Sequence, residues 1–192
     1  MTAPRNQIFG LWKILVVVIL MASIGNISAV GILPPESGSV DAAYIRSSAS
    51  DGGHAVTCHV GKDVSGLIRR ITQTSTHQGP DCMPAAGASS SFFTMGDIVS
   101  SVKELIRNQK KDIRTWAATA ASGTTQAFHG THSRNIGVVV SKYEGRKGKN
   151  RNPCKGGSRT DSRFECRNTK KFTVVFRSSG SGSGYILTAY PK

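Results

Sequence analysis

Two histidines five residues apart, His54 and His59, open a segment that runs on through Val60, Gly61 and Lys62 to Arg70. A histidine changes charge near neutral pH and can take a proton from a nucleophile as general base. Arginine offers a planar fork of donors that matches phosphate oxygens. At the far end of the chain Thr188 and Tyr190 stand two apart. On a strand that spacing sends both hydroxyls to one face, with Tyr185, Leu187 and Ala189 facing the other way. A base, a cationic fork and hydroxyl donors are what removal of a proton from an attacking oxygen and stabilisation of a phosphorane's charge require. Tyr190 can serve either by donating to a leaving oxygen or by hydrogen-bonding a phosphate. His54, His59, Arg70, Thr188 and Tyr190 are thus of types that could carry such chemistry. His77, His129 and His132 fall in polar stretches and read as solvated.

Elements must bring these residues together. Asp63 reads as an N-cap, and Val64, Leu67, Ile68 and Ile71 recur on one helical face. A single unbroken helix through His59 and Arg70 holds them about 16 Å apart. The geometry therefore asks for a break at Gly61 and for Arg70 to reach back. Thr94 and Asp97 form a capping-box-like start, with Phe93 and Ile98 at staple spacing. Ile98, Val102, Leu105, Ile113 and Trp116 continue one apolar face, which predicts the longest helix. Residues 136–140 are a β-branched run and predict a buried strand. Residues 172–177 and 185–190 are β-prone on either side of a Gly/Ser turn, so the chain is expected to end in an antiparallel hairpin. Helices first and strands last predict an α+β fold.

The length of 192 residues suits one core. Arg5 and Lys13 flank a basic start, and an apolar run of 11 residues from Ile14 to Ile24 precedes Ser28 and Ala29. This predicts a signal peptide over 1–29, an uncleaved anchor being the competing reading. Residues 30–50, with Pro34, Pro35 and many small polar residues, predict a flexible linker, leaving 51–192 as the folded domain.

Without the first 29 residues the chain holds 23 Lys and Arg against 11 Asp and Glu, a formal charge of +12. Residues 142–171 alone carry 11 cations against Glu144, Asp161 and Glu165. Such a balance calls for an anionic partner. Four cysteines, Cys58, Cys82, Cys154 and Cys166, come after the presumed cleavage site and read as two disulfides of an exported protein. Of three pairings, the short loops favour Cys58 with Cys82 and Cys154 with Cys166. Zinc is the competing use, but there is no CxxC pair and the histidines lack ligand spacing.

His54, the His59-Val60-Gly61-Lys62 segment, and Ser91-Phe92-Phe93-Thr94 leading to Asp112, Ile113 and Trp116 come in a suggestive order. With the terminal Gly184-Tyr185-Ile186-Leu187-Thr188-Ala189-Tyr190-Pro191 run, they resemble the bacterial RNase A-like toxin domain of contact-dependent growth inhibition proteins. The resemblance spans residues 54–191. It implies a fold similar to pancreatic RNase A, with N-terminal helices on an antiparallel sheet ending in a hairpin. It places the family's histidine at His59, its arginine at Arg70, and its threonine and tyrosine at Thr188 and Tyr190; His54 is expected to orient or replace His59.

The N-terminal segment and the cysteines predict a secreted protein, expected to be monomeric, and the resemblance implies that it is a metal-independent endoribonuclease without cofactors, acting as a toxin. Such a protein is expected to cleave RNA by 2′-hydroxyl attack through a 2′,3′-cyclic phosphate, to meet an immunity or inhibitor protein, and not to remain in a membrane. The export signal, the extra cysteines and a basic insertion after Val140 depart from the family. The alternative of another class is a non-catalytic cationic secreted protein that binds nucleic acid or anionic membrane surfaces; it needs the basic segment but not His59, Thr188 or Tyr190.

Overall fold

Leu33, Val40 and Ile45 are at most 1% exposed, although they belong to the stretch expected to be a linker. The computed structural model describes residues 31–72, 82, 84–85, 87–145, 153–156 and 159–192, without the side chains of 155–156 and 159–161. The presumed signal peptide and His77 lie outside these residues. Within them the fold begins at residue 31, not near Asp51. β1 (Gly31–Ile32) pairs with the last strand, and α1 (Ala42–Ser47) buries Ile45 behind an Asp41 side chain that accepts from the Tyr44 N–H. Proline and serine suggested a linker, but three apolar side chains, too few to show periodicity, are enough to dock it.

Next come α2 (Ala55–His59), α3 (Val64–Thr72), β2 (Ala88–Phe92) and α4 (Met95–Thr119). The C-terminal half is all strand: β3 (Thr125–Thr131), β4 (Gly137–Lys142), β5 (Pro153–Gly156), β6 (Arg159–Thr169), β7 (Lys171–Gly180) and β8 (Ser183–Pro191). The architecture is α+β as expected, but the strands form two antiparallel four-stranded sheets, ordered β1-β8-β7-β3 and β2-β4-β6-β5.

α4 begins at the predicted capping box, Thr94 accepting from the Asp97 N–H while Asp97 accepts from that of Thr94. Its face of Ile98, Val102, Leu105 and Ile113 packs with Phe172, Val174, Phe176, Ile186 and Ala189 of β7 and β8. A smaller cluster joins Leu67 and Ile71 of α3 to Val140, Cys154 and Phe164 of the second sheet.

Three features were not anticipated. β2 is a Ser-rich stretch; Ser89, Ser90 and Ser91 are all buried because pairing with β4 satisfies the backbone where propensity does not favour a strand. β3 is a largely exposed edge strand against β7. The basic insertion after Val140 includes a hairpin, β5 with β6, crossed by the Cys154–Cys166 disulfide. The terminal hairpin is present and turns tightly at Ser181 and Gly182, both at positive φ (54° and 74°), the geometry of a two-residue I′ turn.

Candidate active site

The short helix α2 is held on every side. The His54 N–H donates to the Leu187 carbonyl at 2.9 Å. A side chain at Gly53 would stand 2.6 Å from the carbonyl oxygens of both Ile186 and Ser48, so only glycine lets the chain approach β8 this closely. Ala55 and Cys58 are buried, and Cys58 is bonded to Cys82. After His59 the chain runs alongside β2: Val60 bridges Phe92, the Gly61 N–H donates to the Phe92 carbonyl at 3.0 Å, and the Lys62 N–H donates to Ser91 Oγ at 2.9 Å.

Gly61 sits at φ +64° and separates α2 from α3, which starts behind Asp63 with its side chain accepting from the Gly66 N–H. The break required by the His59–Arg70 spacing is thus present. From α3, Arg70 reaches back and its Nη1 donates to the Cys58 carbonyl at 3.0 Å, next in sequence to His59.

β8 supplies the opposite wall. Thr188 and Tyr190 share a face, but strict alternation fails around them. The β7 register shifts between Val175 and Phe176, so Leu187 is the extra residue of a bulge, and Ile186 and Ala189 both enter the core. Leu187 therefore does not join Ala189 in the core, although the spacing predicted that the two share a face. Its carbonyl is the one that holds His54.

His54, His59, Arg70, Thr188 and Tyr190 all line one cleft of about 370 Å³. The His59 ring centroid lies 5.5 Å from that of Tyr190 and 6.3 Å from that of His54. His59 Nδ1 is 3.1 Å from the Ser90 carbonyl oxygen. A carbonyl only accepts, so Nδ1 carries the hydrogen and, in the neutral ring, Nε2 holds the free lone pair. Burial foremost, then the charges of Arg70, His54 and Lys62, push the His59 pKa from 6.5 to about 4, against the opposing effect of the Ser90 bond. The imidazole is neutral at pH 7. Burial also lowers the Arg70 pKa, but a guanidinium stays charged.

Two hydroxyls in the same walls, Thr188 Oγ1 and Ser89 Oγ, are buried without a hydrogen-bond partner among the described residues. Each such orphan costs about 1–3 kcal/mol when nothing else satisfies it. Ser89, Ser90, Arg167 and Lys192 are the other polar residues that line the cleft. Arg167 belongs to the basic segment, but nothing in a run of serines marks Ser89, and Ser90 acts through a backbone carbonyl that any residue carries. His129 and His132 lie elsewhere, His132 against Glu104 at 3.5 Å. Among the described residues no three His, Cys, Asp or Glu side chains gather as a metal site.

A family model described as the bacterial CdiA-CT RNAse A domain matches residues 53–191. Among solved structures, the crystal structure of a CdiA-CT/CdiI complex from Y. kristensenii 33638 is similar at 18% identity, with a TM-score of 0.48, over 73% of this chain and 99% of that one. No curated protein matches.

Proposed function

The chain belongs to the bacterial CdiA-CT RNAse A domain family, and from that premise we propose that it is an exported toxin ribonuclease working in the cleft between α2 and β8. The reading rests on one observation above all: a neutral histidine, its Nδ1 hydrogen committed to Ser90, shares a cleft with an arginine and two strand hydroxyls.

In this reading Nε2 of His59 takes the proton of the ribose 2′-hydroxyl. The 2′-oxygen bonds to phosphorus, the bond to the 5′-oxygen breaks, and a 2′,3′-cyclic phosphate is left. Arg70 neutralises the developing charge on the non-bridging oxygens. Thr188 and Tyr190 donate to the same group, and the leaving oxygen takes its proton from the Tyr190 hydroxyl or from water. A bound phosphate offsets the cations around His59 and draws its pKa back up, toward the range where a base is most effective. None of these steps calls on a metal.

Two disulfides fit folding in an oxidising compartment, which supports export. RNA is the substrate in this account, and a cognate inhibitor protein is inferred from the family by analogy. The test is incubation of the oxidised protein with end-labelled RNA in EDTA. Cleavage leaving 2′,3′-cyclic ends is expected. Binding without cleavage would instead support a non-catalytic cationic protein.

A further inference from the structure

A second recess, of about 880 Å³, adjoins the first, and Arg167 and Lys192 line both. Its size is at the upper end of whole small-molecule sites, ~300–1,000 Å³. Lys170 and Lys171 join these two cations, and none of the residues lining it is acidic. Of the three carboxylates of the neighbouring helix, Asp97 is engaged by Arg134 at 2.6 Å and Glu104 lies 3.5 Å from His132, while Asp112 is not among the residues lining the recess. Asn108, Gln109, Asn135 and Asn168 also line it. Phosphates take the cations, and base edges take amide donors and acceptors.

The recess is built as well as charged. Gln109 leaves helical geometry in the middle of α4 (φ −127°, ψ 23°), and its Nε2 donates to the His129 carbonyl at 2.6 Å. The exposed ring of His129 is held in turn, its Nδ1 lying 3.0 Å from the hydroxyl of the fully buried Thr173. A fixed, exposed imidazole face is a surface on which an unstacked base can lie.

We propose that this recess is a subsite for the single-stranded RNA flanking the cleaved bond, with Arg167 and Lys192 holding the phosphate that links it to the His59 cleft and His129 stacking a base. The proposal rests on the ribonuclease reading and gives its substrate as an extended strand rather than a dinucleotide. It also assigns part of the basic segment a definite task.

The test compares a dinucleotide with a hexanucleotide, using the oxidised full chain, its Lys170→Ala/Lys171→Ala double variant, His129→Ala and His129→Phe, all checked for unchanged thermal midpoints. The losses of kcat/KM in the double variant and in His129→Ala are expected to be about tenfold larger on the hexanucleotide. His129→Phe, which keeps a ring, should recover most of the His129→Ala loss. Non-cleavable 2′-deoxy strands of both lengths give a binding arm, in which the salt slope of the hexamer flattens by roughly 0.7 for each lost phosphate contact.

Equal losses at both lengths, or none, overturn the proposal. So does competition by polyglutamate for a recess that ignores strand length, which assigns the surface to an acidic protein. If no strand is cleaved, the ribonuclease reading has failed, and the deoxy binding arm still decides the subsite.

Discussion

His59 joins partial burial to a fixed tautomer, and the two together set how it responds to acid. A base works only when deprotonated, and a pKa near 4 keeps the free protein's imidazole deprotonated well below neutrality. The acid limb of kcat/KM, which reports the free enzyme, should therefore lie near pH 4; a limb at 6.5 would mean an unburied histidine. Stability tracks the same shift. The unfolded chain gains this proton near 6.5 and the folded chain only near 4, so the contribution is intact above 6.5 and is lost as pH falls between those values. Thr188 offers a different separation. Thr188→Val removes an orphaned buried hydroxyl, so the thermal midpoint should hold or rise while cleavage falls at least tenfold, a loss of about 1.4 kcal/mol. Undiminished cleavage would make Thr188 a packing residue. The family resemblance, carried by the His59-Val60-Gly61-Lys62 segment and the terminal run, singled out the five side chains that meet in the cleft, and residue type supplied the chemical reason for each. Ser90 escaped notice because its contribution is a carbonyl.

At the scale of elements, regular periodicity was readable and pairing was not. The capping box and apolar face of α4 announce it, and the Gly61 break is dictated by the reach Arg70 needs. β2 depends on a partner distant in sequence, β4, and the bulge at Leu187 is a local extra residue that period-two reasoning cannot foresee. The 31–50 stretch is the instructive case, since it lies before the family match yet supplies Leu33, Val40 and Ile45 to the main core. Leu33→Ala or Ile45→Ala should cost about 2–5 kcal/mol in urea unfolding; a mere tether would lose nothing. Cys58 is adjacent to His59 and tied to Cys82. Reducing that bond releases the backbone beneath the proposed base, and activity should drop; equal rates for reduced and oxidised protein would detach the disulfide from catalysis.

Across the whole molecule, a formal charge of +14 favours encounter with any polyanion and by itself says nothing about chemistry. Composition called for an anionic partner, and in the reading proposed here it meets the protein at a cleft walled by α2, α3, β2 and β8, which opens beside a basic recess between α4 and the β6–β7 turn. Binding and cleavage are therefore separable properties, binding carried by many cations and cleavage by a few groups. The most direct measurement exploits that difference by tracking cleavage of labelled RNA in EDTA by the oxidised protein and by His59→Ala, with RNA affinity measured in parallel. His59→Ala is expected to bind RNA within about twofold of the unaltered protein, as when a neutral group leaves a phosphate-dominated interface, yet to cleave it at least ~100-fold more slowly, the usual worth of a positioned base. Cleavage by His59→Ala at the unaltered rate would contradict the assignment of His59 as that base.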